Sequence, residues 1–154
     1  MGAGPRGRYW EEFRAGEVFE SAARTITETD IVTFASFTGD WHPLHTDKEF
    51  AKTTAFKKRI AHGMIGPVVS VGLGVREGLM HETVIAFMEM QWKFLKPIYI
   101  GDTIRQKRTV EHKRECRNPA QGIIRFRLEI INQHDEVVQE GTRTLLVKRN
   151  PEEK

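Results

Sequence analysis

The second half of the chain is ruled by a period of two. Val84, Ala86, Met88, Met90, Trp92 and Phe94 alternate with residues that become polar at Glu89, Gln91 and Lys93. Ile124, Phe126, Leu128 and Ile130 alternate with Arg125, Arg127 and Glu129. A strand with one buried face has this pattern. Thr142 to Lys148 is another β-rich run. Gly101-Asp102 and His134-Asp135 mark turns, and Asn118-Pro119 marks a loop. The pattern predicts three or four long antiparallel strands, with Met88 and Met90 filling the core or else lining a tunnel.

The first half changes period after a short extended lead. Thr27 to Asp30 forms a capping box that opens a helix, Ile31, Phe34, Ala35 and Thr38 share one helical face, and Gly39 stands where a C-cap belongs. A second box at Thr46 to Glu49 predicts a short helix through Phe50 and Ala51. The stretch from Ala61 to Gly78 is nearly free of charge and rich in glycine and valine. Its length argues for a buried element, and Pro67 is tolerated in a first helical turn starting near Gly66. A helix closely wrapped by a sheet has use for small residues. Helices followed by long antiparallel strands mean an α+β fold.

Composition narrows the function classes. A chain of 154 residues with 39% hydrophobic and 29% charged positions is a single globular domain, expected over 9–149, with a flexible leader at 1–8 and a frayed tail at 150–154. Cys116 is the only cysteine, so no intrachain disulfide forms, which fits a cytoplasmic protein. The longest mostly apolar run, Met64 to Val75, is too short to span a bilayer, so no membrane partner is expected. The net charge of +3 is mild. The densest basic stretch, Arg105 to Arg117, mixes its cations with Glu111 and Glu115 and has no aromatic residue. It reads as a solvated strand pair with its loop, or as a patch meeting the phosphates of an anionic ligand, and no nucleic acid is expected.

The chemistry is concentrated in Gly39-Asp40-Trp41-His42-Pro43-Leu44-His45-Thr46-Asp47 and Arg59-Ile60-Ala61-His62-Gly63-Met64. A carboxylate and an imidazole five residues apart, on a loop stiffened by Pro43, can move protons in both directions near neutral pH. By themselves Asp40 could be a turn residue, His45 a packing residue and Gly63 a tight turn. His62 reads as a buttress for the loop. His42 and His45 form an HxxH, but Pro43 lies between them and no third ligand is nearby in sequence, so no metal is expected.

These residues resemble the MaoC-like dehydratase family, whose best-known members are (R)-specific enoyl-CoA hydratases. The resemblance covers Thr38 to His45, Phe50-Ala51, Ala55-Phe56, Ile60 to Met64, Phe94 to Thr103 and Asn132 to Val138. It implies a hot-dog fold: a long antiparallel sheet wrapped around a central helix, here from about Gly63 to Gly78, with a helical overhang carrying the catalytic loop. It further implies a homodimer or dimer-based oligomer, and reversible hydration of trans-2-enoyl-CoA to (3R)-hydroxyacyl-CoA. Asp40 and His45 match the pair that activates water, and Gly63 matches the oxyanion donor. His42, His62, Met64 and Ser70 are candidates for contact with the acyl-CoA substrate. No cofactor is implied. Two departures stand out: His42 replaces an asparagine common in the family. Val71 occupies the position before Gly72 that some hydratases fill with serine, Ser70 lying one place earlier. The alternatives are a hot-dog acyl-CoA thioesterase, which would direct water at the carbonyl, and a non-catalytic acyl-CoA-binding or assembly module.

Overall fold

The computed structural model describes residues 7–152. A single 3-10 turn, Trp10–Glu12, precedes two short strands, β1 (Val18–Glu20) and β2 (Arg24–Thr25). Four helices follow: α1 (Glu28–Thr38), α2 (Pro43–Thr46), α3 (Lys48–Thr53) and α4 (Ile65–Arg76). Four long strands close the chain: β3 (Val84–Phe94), β4 (Thr103–Glu115), β5 (Gln121–Ile131) and β6 (Val137–Lys148). They form an antiparallel sheet in the order β1-β4-β5-β6-β3, with β2 also pairing to β4.

Local chemistry sets the ends of α1. The Thr27 side chain accepts from the Asp30 N–H, Asp30 reaches back to the Thr27 N–H, and Gly39 closes the helix at φ 77°, a left-handed conformation that suits glycine. The second box is corrected. Asp47, not Thr46, caps α3, accepting from the N–H groups of Glu49 and Phe50. Thr46 instead ends α2, a one-turn helix opened by the His42 side chain and Pro43. His45 therefore sits within a helical turn, not in a loop before one. A carboxylate with two backbone donors outcompetes a hydroxyl for the cap.

The sheet buries two clusters. Ile26, Ile31, Ala61, Ile65, Ile98, Ile104, Ile130 and Val138 join the helices to β4–β6. Phe13, Val110, Ile124, Phe126, Leu128, Leu145 and Val147 form the second. Helix α4 buries Ile65, Gly66, Pro67, Ser70 and Leu73. A Cβ at Gly66 would lie 2.0 Å from Gln139 Oε1, so the glycine leaves room for the Gln139 amide where the helix meets the sheet.

Three expectations are corrected by packing. Strand β3 pairs only with β6 and stands at the sheet edge. Its alternation is broken by register shifts between Val84 and Ala86 and between Phe87 and Glu89. Met88 is consequently 51% exposed and fills no core, while Met90 is half-buried. Arg105 to Arg117 is not a solvated strand pair: most of it is the single strand β4, on which Gln106 and Arg108 point inward between Ile104 and Val110. Finally, the first eight residues are not all loose, for the Arg8 N–H donates to the Leu79 carbonyl at 2.7 Å and its guanidinium pairs with Glu17. Positions 1–6 and 153–154 lie outside the described residues. Near the tail, Arg149 pairs with Glu11 at 2.6 Å.

Candidate active site

Asp40 leaves α1 directly after its glycine cap, and its carboxylate accepts the His42 N–H at 3.3 Å. The turn is held from both sides. The Thr46 hydroxyl donates to the carbonyls of Trp41 and His42, each at 3.2 Å. Arg59 grips Glu28 of α1 through two hydrogen bonds of 2.8 and 2.6 Å and also reaches the His45 carbonyl. The overhang is thereby fastened to the segment that leads into α4.

That segment fixes both imidazoles. His45 Nδ1 lies 2.9 Å from the Ile60 carbonyl, and His62 Nε2 lies 2.9 Å from the Asp40 carbonyl. A carbonyl only accepts, so each of these nitrogens carries the proton. His45 Nε2 and His62 Nδ1 are then lone-pair acceptors, and His62 Nδ1 is buried without a partner. The two rings stack with centroids 4.0 Å apart, and Phe34 closes over His62 at 4.8 Å. Donor atoms of Asp40, His45 and His62 all lie within 4.8 Å of one another.

This cluster differs from the HxxH considered in the sequence. His42 Nδ1 is occupied by the Leu44 N–H at 3.1 Å, and the His42 ring lies edge-on to His45 and to Phe50. The third group beside Asp40 and His45 is His62, brought in from beyond α3. Three such donors have the composition of a cation site, and equally of a set of acceptors around one water. Burial, together with the charges of His62 and His42, lowers the His45 pKa against the upward pull of the Ile60 carbonyl and Asp40. Neutral His45 is thereby favoured, the form with a lone pair to offer.

Gly63 follows His62 at the head of α4. Its carbonyl accepts Gln139 Nε2 at 3.1 Å. Its N–H makes no hydrogen bond among the described residues and is available to an anion at a helix start. A cavity of about 330 Å³ adjoins it, lined by Ile60, Ala61, Phe94, Pro97, Ile98 and Gln139 among others. A Cβ at Gly63 would come within 3.2 Å of the Phe94 ring, so the glycine also has a packing role. Met64 is 44% exposed beside it. Ser70 is buried on α4 with its hydroxyl donated to the Pro67 carbonyl at 2.8 Å, so its proton is spent on its own helix.

Two contributors escaped the sequence reading. Arg59 locks the overhang, and Gln139 bridges the head of α4 to Trp92, whose Nε1 donates to Gln139 Oε1 at 3.0 Å. No local signal marked Gln139, because Glu140, Thr142, Arg143 and Thr144 follow it and make it one polar residue among several.

Residues 12–129 match the MaoC like domain. The (R)-specific enoyl-CoA hydratase of Rhodospirillum rubrum is 38% identical over 103 residues, 66% of this chain and 69% of that protein. Among solved structures, a monoamine oxidase regulatory protein of Archaeoglobus fulgius superimposes with a TM-score of 0.89 at 39% identity, over 94% of this chain and 97% of the other. A Mycobacterium tuberculosis protein with a double hotdog fold, 21% identical, superimposes at 0.85 over 96% of this chain and 46% of that one. At that identity the likeness concerns the fold alone, and the sheet with α4 packed on it is the hot-dog architecture expected.

Proposed function

The chain belongs to the MaoC-like domain family, and from that premise we propose that it adds water reversibly to a trans-2-enoyl-CoA, giving the (3R)-hydroxyacyl-CoA. The observation that carries this reading is the convergence of the Asp40 carboxylate and the imidazoles of His45 and His62 within 4.8 Å, next to the unengaged N–H of Gly63. Asp40 and His45 Nε2 hold one water. Its oxygen bonds to C3 of the enoyl group, one of its protons passes to the pair, and C2 receives a proton from the same pair. Charge that develops on the thioester oxygen meets the Gly63 N–H at the positive end of α4. His62 positions the Asp40 turn through its hydrogen bond to the Asp40 carbonyl and stacks beneath His45. No electrons are transferred and no Lewis acid is required, so chelators should leave turnover unchanged. Loss on chelation with recovery on adding a divalent ion would make Asp40, His45 and His62 metal ligands instead.

Crotonyl-CoA separates this reading from thioester hydrolysis. The enoyl absorbance should fall with no release of free thiol. Thiol release without loss of the conjugated double bond would move the assignment to a thioesterase, and neither change would leave a binding module.

The lowered pKa of His45 gives a pH signature. A base whose folded pKa lies below its ordinary value of ~6.5 keeps its lone pair into more acidic solution. The acid limb of kcat/KM should therefore fall below pH ~6.5. A limb centred above that value would assign the titration to another group.

The active unit is a pair of chains. The outer edge of β3 has no strand partner among the described residues, and Val84, Ile85, Phe87 and Met88 along it are 41–51% exposed. Val68, Val71 and Val75 of α4 are exposed as well. An unpaired edge lined with apolar groups is an association surface, and a second copy covers it by symmetry. Sedimentation at micromolar concentration should give twice the 17.8 kDa chain mass. A stable, active monomer would contradict this.

A further inference from the structure

Between the C-terminal half of α4 and strand β3 lies a second cavity of about 290 Å³, separate in its lining from the one beside Gly63. Its walls are apolar: Val71, Val75, Met80, Ile85, Phe87 and Leu145; Val71, Val75, Ile85 and Phe87 also belong to the face assigned above to a second copy, so the cavity is a site of the paired protein. Arg108 and Arg143 also line it, and these residues are only 1% and 4% exposed. An apolar chamber with two buried guanidinium groups is an unusual combination, because a buried charge is costly unless it is paired.

The pairing is incomplete. Arg108 donates to Glu77 Oε2 at 2.6 Å and lies over the rings of Phe19 and Phe126. The Arg143 side chain makes no hydrogen bond among the described residues; its Nε is buried without a partner, and it faces the Phe87 ring at 5.8 Å. Burial and the charge of Arg108 lower its pKa to about 10, which still leaves it cationic at neutral pH. Two cations thus share one carboxylate. Gln106, fully buried, lies beside the same carboxylate and helps to hold its pKa down. Among the described residues the exposed His81 is the other titratable group that lines this space, and Glu77 stands behind it as the partner of Arg108. Helix α4 comes up to the two arginines at Gly74, where a Cβ would sit 3.2 Å from Arg108 Nη1 and 3.8 Å from Arg143 Nη2.

We propose that this cavity binds an apolar chain that ends in a carboxylate, with the carboxylate seated on Arg143 and neutralising the surplus charge. A guanidinium presents a planar fork of donors that a carboxylate matches, whereas an alcohol or a methyl group leaves the charge uncompensated. The volume accommodates on the order of ten non-hydrogen atoms at roughly 30 Å³ each, the size of a medium-chain acid. Two ligands share this chemistry. One is a free aliphatic acid. The other is an acyl thioester whose far end carries a carboxylate, an identification that rests on the hydratase reading. Ile65, the first residue of α4, and Gly74 are separated along the helix by roughly 14 Å, within the span of a long acyl chain.

The test begins with binding, which does not depend on turnover. Calorimetry on the intact protein compares octanoate with octanamide, equal in length and neutral. Octanoate should bind about tenfold tighter or more. Arg143→Met keeps the aliphatic stem and leaves no buried carboxylate stranded, because Glu77 keeps its hydrogen bond from Arg108; circular dichroism and melting check its fold. It should abolish the preference for the acid. Equal affinity for acid and amide in the unaltered protein, or an unchanged preference in folded Arg143→Met, overturns the site. Turnover then identifies the source. If the ligand is a substrate end, trans-2-enoyl-CoAs of six to fourteen carbons should include a length at which a terminal carboxylate raises kcat/KM about tenfold, and Arg143→Met should erase that gain. A carboxylate preference in binding with none in turnover supports the site with a free acid as its ligand.

Discussion

Replacing Asp40 by Asn, or His45 by Gln, should each slow crotonyl-CoA hydration by ~10²–10⁴-fold, the usual worth of a positioned acid–base group. Both replacements are close in size to the residue they replace, and Asp40 is exposed, so circular dichroism and melting should change little. The amide introduced by His45→Gln would still be able to donate to the Ile60 carbonyl, but it offers no imidazole lone pair to the water. Because one water is shared, the double variant should be scarcely slower than either single variant. A 3S-specific hydroxyacyl-CoA dehydrogenase coupled to the unaltered protein should stay silent. Near-normal rates in both single variants would remove the overhang from the chemistry. A 3S product would keep the hydration and overturn the stereochemical assignment.

Arg108→Met should cost about 3–5 kcal/mol near neutral pH, a fall in Tm of roughly 6–20 °C for a domain of this size. The loss comes less from the missing contact than from the carboxylate left behind. Glu77 Oε1 is already buried without a partner, and Arg108 supplies the charge beside Oε2. Burial raises the Glu77 pKa even with both arginines opposing it. A carboxyl whose folded pKa is raised favours folding fully below its unfolded value and loses that contribution as pH rises through the folded value. Without Arg108 the folded pKa climbs further. The deficit of the variant should therefore shrink as pH falls toward the ordinary glutamate value of ~4.3. Adding Glu77→Gln removes the stranded charge and should recover much of the loss. Chemical denaturation showing a cost below about 1 kcal/mol, or no recovery in the double variant, would mean that water reaches this pair freely.

What the sequence determined by itself was whatever depends on near neighbours. The capping box at Thr27 and Asp30 and the left-handed cap at Gly39 are interactions across a few residues, and they form as the pattern predicted. Strand β5 alternates from Ile124 to Ile130 because it lies inside the sheet between β4 and β6 with one face on the core; consecutive buried residues at Gly122 to Ile124 and at Ile130-Ile131 break the period at its ends. The same local logic placed Asp40 directly after the cap of a helix. The pattern read Thr46 as the cap of the next helix, and its neighbour Asp47, the stronger acceptor, took the position.

Only the tertiary structure decided what meets across distance. Nothing in the spacing of His45 and His62 says that their rings stack; that follows from the Ile60 and Asp40 carbonyls, each of which pins the other segment's imidazole. The exposure of Met88 followed from β3 lying at an edge and slipping register twice, facts set by pairing order and not by its own alternation. The buried arginines lie between these extremes. Period two already put Arg108 on the face of Ile104 and Val110, and Arg143 on the face of Leu145 and Val147. A reading by charge sends such residues to solvent. The fold brought them together with Glu77 at the far end of α4, because β4 and β6 flank β5 and present these residues on one face, and the helix closes over it at a glycine.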